Sequence, residues 1–141
     1  MSGEENRSVA LVVQSGTLDR LMSALILAST AVAMDMEAHL YFTFWGLNML
    51  KKGAMEKAGL PATYKDFGEQ VKKRMTEMKY PSLYEMLRSI YATGKLKIYA
   101  CSPTMEIFGI RKEDLIPEVT DIVGAATFLE VASKAEIALF I

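Results

Sequence analysis

The stretch KLKIYACSPTMEIFGI, residues 95–110, decides the fold, because a strand-like run gives way to a helix-like one around the chain's only cysteine. Residues 96–100 form a short apolar run of strand length. Ser102 and Pro103 then read as a helix N-cap and first helical residue. Proline fixes a helix-compatible φ, pushes its predecessor toward extended geometry and needs no N–H partner there. Gly109 closes that helix after barely two turns. Cys101 is therefore placed at the carboxyl end of a strand, the edge at which ligand chemistry collects in open parallel α/β sheets.

Outward from this point the same alternation recurs. Strand-sized runs rich in Val, Ile, Leu or aromatic residues lie at 9–13, 38–44 and 137–141, with a weaker one at 119–123. Between the first two, Leu18, Leu21, Met22, Leu25, Ser29, Val32 and Ala33 share one face at helical spacing, which predicts an amphipathic helix over 18–34 capped by Thr17 or Ser15. Tyr84, Leu87, Ile90 and Tyr91 predict another, entered through Ser82 after Pro81 and left at Gly94. A further helix is expected over 125–134. Strands alternating with helices predict an α/β domain with a largely parallel sheet. Residues 59–79 differ, being dense in Lys, Arg, Asp and Glu with few large apolar residues. They are read as an exposed insertion or lid, partly helical, against the plainer alternative of a solvated surface helix.

At 141 residues and 51% hydrophobic types, the chain can bury one sizeable core and is read as one domain, 1–141. A net charge of −1 gives no general reason to bind nucleic acid or an anionic membrane. One cysteine cannot form an internal disulfide, and with one histidine it cannot build a cysteine/histidine zinc site within a chain. No metal or cofactor is expected. The opening MSGEENRS lacks the charged and apolar regions of a signal peptide, and the apolar stretches fall short of the roughly 20 residues a membrane span needs. The expected setting is reducing and cytoplasmic.

A lone cysteine is either a small buried hydrophobe or a working thiol. Free N–H groups at the helix start beside Cys101 lower a thiol's pKa and favour a thiolate, persulfide or bound oxyanion. His39 is the only histidine, but alternation puts it on one strand face with Glu37, Tyr41 and Thr43, roughly 15–20 Å below the strand's carboxyl end. It is therefore not read as the base for Cys101. Phe44 and Trp45, in FTFWG at 42–46, either wall the thiol or pack in a core or subunit contact. Their apolar surface, with Met49 and Met55, predicts a homo-oligomer.

FTFWGLNMLKK at 42–52, ACSPTMEIFGI at 100–110 and GAATFLEVASKAEIALFI at 124–141 together resemble the DsrE/DsrF-like (YchN-like) family, in its stand-alone DsrE-like branch, and SGTLDR at 15–20 suits that family's first strand-to-helix turn. The resemblance implies a three-layer flavodoxin-like domain, with a mainly parallel sheet of about five strands and helices on both faces. It also implies a sulfur carrier that holds sulfane sulfur or thiosulfate on the cysteine after the third main strand, here Cys101, and passes it to a partner thiol. Ser102, Thr104, Met105, Trp45 and Gly16 are the residues expected around a small sulfur-containing anion. Relatives of the branch often read Cys-x-Met-Ser-Met-Asp-x-Met-Gly. This chain keeps Thr104, Met105, Glu106 and Gly109 but has Pro103, and it has no second cysteine for two-thiol chemistry. Such a protein acts as a sulfurtransferase-type carrier more than as a multiple-turnover enzyme. Its partners would be donor and acceptor proteins. The competing readings are a non-catalytic oligomeric scaffold with an inert Cys101, and a one-cysteine peroxidase, for which no Pro-x-x-x-Thr-x-x-Cys motif is present.

Overall fold

The computed structural model describes residues 7–141. The opening residues 1–6, on which part of the signal-peptide reading rests, lie outside the described residues. The apolar runs form β1 (Ser8–Val13), β2 (Glu37–Phe42), β3 (Leu96–Cys101), β4 (Asp121–Val123) and β5 (Ile137–Phe140). They make one sheet in the order β4-β3-β2-β1-β5, and every pairing is parallel. The central strand β1, SVALVV, lacks the polar alternation of a one-sided sheet because it is covered on both faces.

The helices are α1 (Leu18–Ala33), α2 (Phe44–Asn48), α3 (Gly68–Glu77), α4 (Leu83–Tyr91), α5 (Ser102–Phe108) and α6 (Ala125–Ser133). From β1 to β4 the chain steps across the sheet in one direction, and it then crosses back to β5 beside β1. Right-handed crossovers place α1 and α4 on one face and α6, on the return, on the other. On the first face Leu11, Leu40 and Ile98 are fully buried in the middle of the sheet, with Leu21, Ala24, Leu25 and Ala28 of α1 in the same core. Truncating one of these Leu or Ile side chains to Ala costs about 2–5 kcal/mol. On the second face Phe128 of α6 stacks on Tyr41 at 4.6 Å between ring centroids and meets Tyr99 edge-on at 5.9 Å.

Several boundaries differ from the sequence reading for local reasons. β2 stops at Phe42 rather than 44, because Phe44 takes a left-handed backbone, φ 45°, and opens α2. The helix after β3 begins at Ser102, with Cys101 rather than Ser102 as its N-cap, since pairing with Val123 keeps Cys101 extended. Thr17 is the N-cap of α1, yet its hydroxyl shares a hydrogen bond with Ser15 at 3.2 Å instead of capping the helix. Ser82 caps α4 as expected, accepting from the Glu85 N–H at 3.2 Å. Gly94 and Gly109 both adopt positive φ, as glycine permits after a helix.

Within 59–79 a 3-10 turn, Ala62–Phe67, runs into α3, and neither contains a buried residue. Tyr64, Phe67, Val71 and Met75 border a hollow of about 620 Å³ against Asp19 of α1. No helix among the described residues is long and apolar enough to cross a membrane.

Candidate functional site

Two neighbouring strands and two strand-to-helix turns build the site. In β2 and β3 alternate side chains point to the α6 face, so Tyr41 comes from one strand, Thr43 from the extended residue just beyond its end, and Tyr99 and Cys101 from the next strand. The register sets Tyr41 beside Tyr99 and Phe42 beside Ala100, which brings Thr43 level with Cys101. The thiol is 7% exposed. Thr104, one turn into α5, is fully buried.

Thr104 ties the turns together. Its hydroxyl accepts the Phe44 N–H at 3.1 Å and shares a hydrogen bond with the Thr43 hydroxyl at 3.0 Å. The left-handed Phe44 is a conformation that bulky residues rarely adopt, and this bond from its own N–H helps hold it there. Phe44 and Trp45 both pack on Phe108 at the end of α5, at 5.9 and 5.2 Å between centroids.

Around the sulfur, burial pushes the Cys101 thiol up. Hydrogen bonds from the hydroxyls of Thr104, Tyr41 and Thr43 and from the Thr104 N–H pull it down, and the net direction is below the ordinary thiol value. Tyr41 shows the reciprocal effect, its phenol being pushed upward by burial and by the bond to Cys101. The sulfur thus faces neutral donors. These suit an anion, because each gives a proton-side contact and none is a carboxylate.

The residues expected at the site divide into two groups. Cys101 and Thr104 come together, with the Thr104 N–H supplying the helix-start contact. Ser102 is the half-buried first residue of α5 and is not among the groups acting on the thiol. Met105 is buried in the core cluster. Trp45 is 63% exposed, so it stands on the surface beside the site. At Gly16 a Cβ would lie 2.5 Å from the Trp45 carbonyl oxygen, so this glycine lets the β1–α1 turn press against α2.

His39 sits lower on the same face, as its spacing indicated. Its Nδ1 and the Tyr99 hydroxyl are 2.9 Å apart, and its Nε2 is 3.4 Å from Glu37 Oε1. Tyr41 and Thr43 were missed as functional residues. The alternation that grouped them with His39 was the available signal, but only strand pairing brings them to the same face as Cys101. Among the described residues no three His, Cys, Asp or Glu side chains gather as a metal site would.

The chain is also similar to known proteins along nearly its whole length. The DsrE/DsrF/DrsH-like family matches residues 5–79 and 61–140. The sulfur carrier protein DsrE2 of Allochromatium vinosum is 30% identical, over 97% of this chain and 99% of that protein. The uncharacterized protein YrkE of Bacillus subtilis is 29% identical, over 98% and 99%. Among solved structures, a protein of unknown function from Methanobacterium thermoautotrophicum superposes with a TM-score of 0.67 at 13% identity, over 96% of this chain and 100% of that one. The ychN protein of E. coli gives 0.63 at 14%, over 96% and 99%. The last two likenesses concern the fold alone.

Proposed function

The chain belongs to the DsrE/DsrF/DrsH-like family, and from that premise we propose that it is a sulfur carrier which holds sulfane sulfur or thiosulfate on Cys101 and passes it to a partner thiol. The observation that carries this reading is the place of Cys101 at the junction of β3 and α5, level with Thr43 and one turn from Thr104, with its thiol drawn below the ordinary value. The similarity to DsrE2, itself described as a sulfur carrier, supports it along nearly the whole chain. A thiolate is the nucleophile in sulfur exchange, so no separate base is required once the thiol is acidified. The single free cysteine fits a reducing, cytoplasmic setting. Donor and acceptor proteins bearing thiols, small sulfur-containing anions and a homo-oligomeric assembly belong to the same proposal. So does the part of 59–79 as an exposed insertion on one domain, whose amides should exchange faster than those of β1.

Near-complete burial of Cys101 favours one competing reading, an inert packing cysteine in a scaffold. Intact-mass spectrometry after exposure to polysulfide or tetrathionate separates the two. The carrier reading expects sulfur-containing mass on the wild type and none on Cys101→Ser. A thiol that takes up nothing across a wide pH range, and labels only after unfolding, establishes the scaffold instead.

A further inference from the structure

Phe44 holds a left-handed backbone, φ 45°, yet its ring stays 40% exposed, so burial does not offset the strain. With Trp45 it packs on Phe108, and the three rings make an aromatic ledge where α2 meets α5. Ile107, next to Phe108, is exposed as well. Interfaces commonly find their anchors in exposed aromatic groups of this kind. Phe108 also borders a hollow of about 460 Å³, whose charged lining is Lys51, Lys52, Glu113 and Asp114.

The charges around that hollow do not balance. Arg111 lies 3.6 Å from Glu113 and 4.0 Å from Asp114, and Asp114 also accepts the Arg111 N–H at 2.9 Å, so both acids have a partner. Lys51 and Lys52 form no ion pair among the described residues. Their backbone is fixed, since Lys51 bridges Leu115 and the Lys52 N–H donates to the Asp114 carbonyl at 3.0 Å. Two uncompensated cations are thereby held beside the ledge.

Building on the sulfur-carrier reading, we propose that Phe44, Trp45 and Phe108, with Lys51 and Lys52, are the docking surface for a thiol-bearing partner protein that presents an acidic, apolar segment. The ledge takes the segment's apolar side chains and the lysines take its carboxylates. A second copy of this chain does not suit the patch. In a two-fold contact the same surface meets itself, so lysines would face lysines. The uncharged strand Ile137–Phe140 carries no such penalty. Cys101 and Phe108 stand at opposite ends of α5, about 10 Å apart along its axis. A segment seated on the ledge therefore reaches the thiol with roughly three or four extended residues.

Trp45 is the only tryptophan, so its fluorescence reports docking directly. The probe is a short capped peptide with leucines, glutamates and no aromatic residue, and with serine in place of its cysteine so that binding is read without chemistry. One control peptide carries glutamine for glutamate and another alanine for leucine. At low salt the glutamate peptide should shift Trp45 emission to the blue and bind roughly tenfold more tightly than the glutamine peptide. The alanine peptide should leave the emission unshifted. Lys51→Glu with Lys52→Glu should abolish the glutamate preference, whereas Lys72→Glu with Lys73→Glu, the same charge change on α3, should keep it. If the first variant folds poorly, loss of the preference on adding salt to wild type gives the same answer. Equal binding of the glutamate and glutamine peptides, or equal losses in both double variants, overturns the proposal. So does an emission shift that follows protein concentration alone, which would put a second copy on the patch. Intact mass after polysulfide is measured in parallel: a wild type that binds the glutamate peptide with this preference but never loads sulfur overturns the carrier reading and upholds the docking surface.

Discussion

At the scale of single residues, polar side chains on the α6 face do two different jobs at two levels of the sheet. Toward the carboxyl edge they gather on Cys101, and below it Glu37, His39 and Tyr99 bond to one another. Burial holds the His39 imidazole below its ordinary value, against the opposing pull of Glu37. An unfolded chain accepts that proton near about pH 6.5, so below this pH the unfolded state binds more protons and stability falls as the solution is acidified. In His39→Gln, whose amide can still bond Tyr99, this part of the acid loss should vanish between about pH 7 and 5. Urea midpoints across that range would show it, and equal slopes for both proteins would contradict it. His39 was legible from spacing as remote from the thiol, whereas its bond to Tyr99 required the pairing of β2 with β3.

At the scale of elements, the strand-to-helix turns set the site through close backbone contact. Gly46, in α2, would place a Cβ 2.2 Å from the Val13 carbonyl oxygen, and a backbone oxygen in a central strand cannot step aside. Gly46→Ala should therefore cost about 3 kcal/mol, read as a lower urea midpoint, and should disturb the Phe44 turn that leans on Thr104. Gly68, at the start of α3, has open space where its Cβ would go. Gly68→Ala should be neutral or stabilise by up to about 1 kcal/mol through helix propensity. Like effects at both positions would mean that close approach is not what selects glycine at 46. In the sequence the two glycines look alike, because neither flanking text records which backbone comes near.

At the scale of the whole molecule, the sheet's β5 edge stands out. All four residues of β5 are exposed among the described residues, with Phe140 at 68% and Leu129 of the neighbouring α6 at 66%. No Lys, Pro or charge interrupts Ile137–Phe140, although exposed edge strands are commonly blunted that way. We expect a second copy to cover this face. Light scattering should report a species larger than a monomer at micromolar concentration, and Leu139→Lys with Phe140→Glu should reduce it. A wild-type monomer would refute the expectation. The sequence pointed to assembly through Phe44, Trp45 and the methionines, but it could not say that β5 is an edge, since strand order is a property of the fold.

By itself the sequence determined the local grammar: five apolar runs, the helix faces of α1 and α4, the stop at Gly109 and the place of Cys101 at a strand's end. Periodicity and turn chemistry act between residues close along the chain, so they can be read there. Tertiary structure alone decided that Tyr41 and Thr43 share a sheet face with Cys101, that Gly16 serves packing against Trp45, and that Phe44 adopts a left-handed backbone held by Thr104. Each of these joins residues about 30 to 60 positions apart. Pairing of β2 with β3 and of the two carboxyl-edge turns brings them within hydrogen-bonding or packing distance, and neither pairing leaves a mark in the local text.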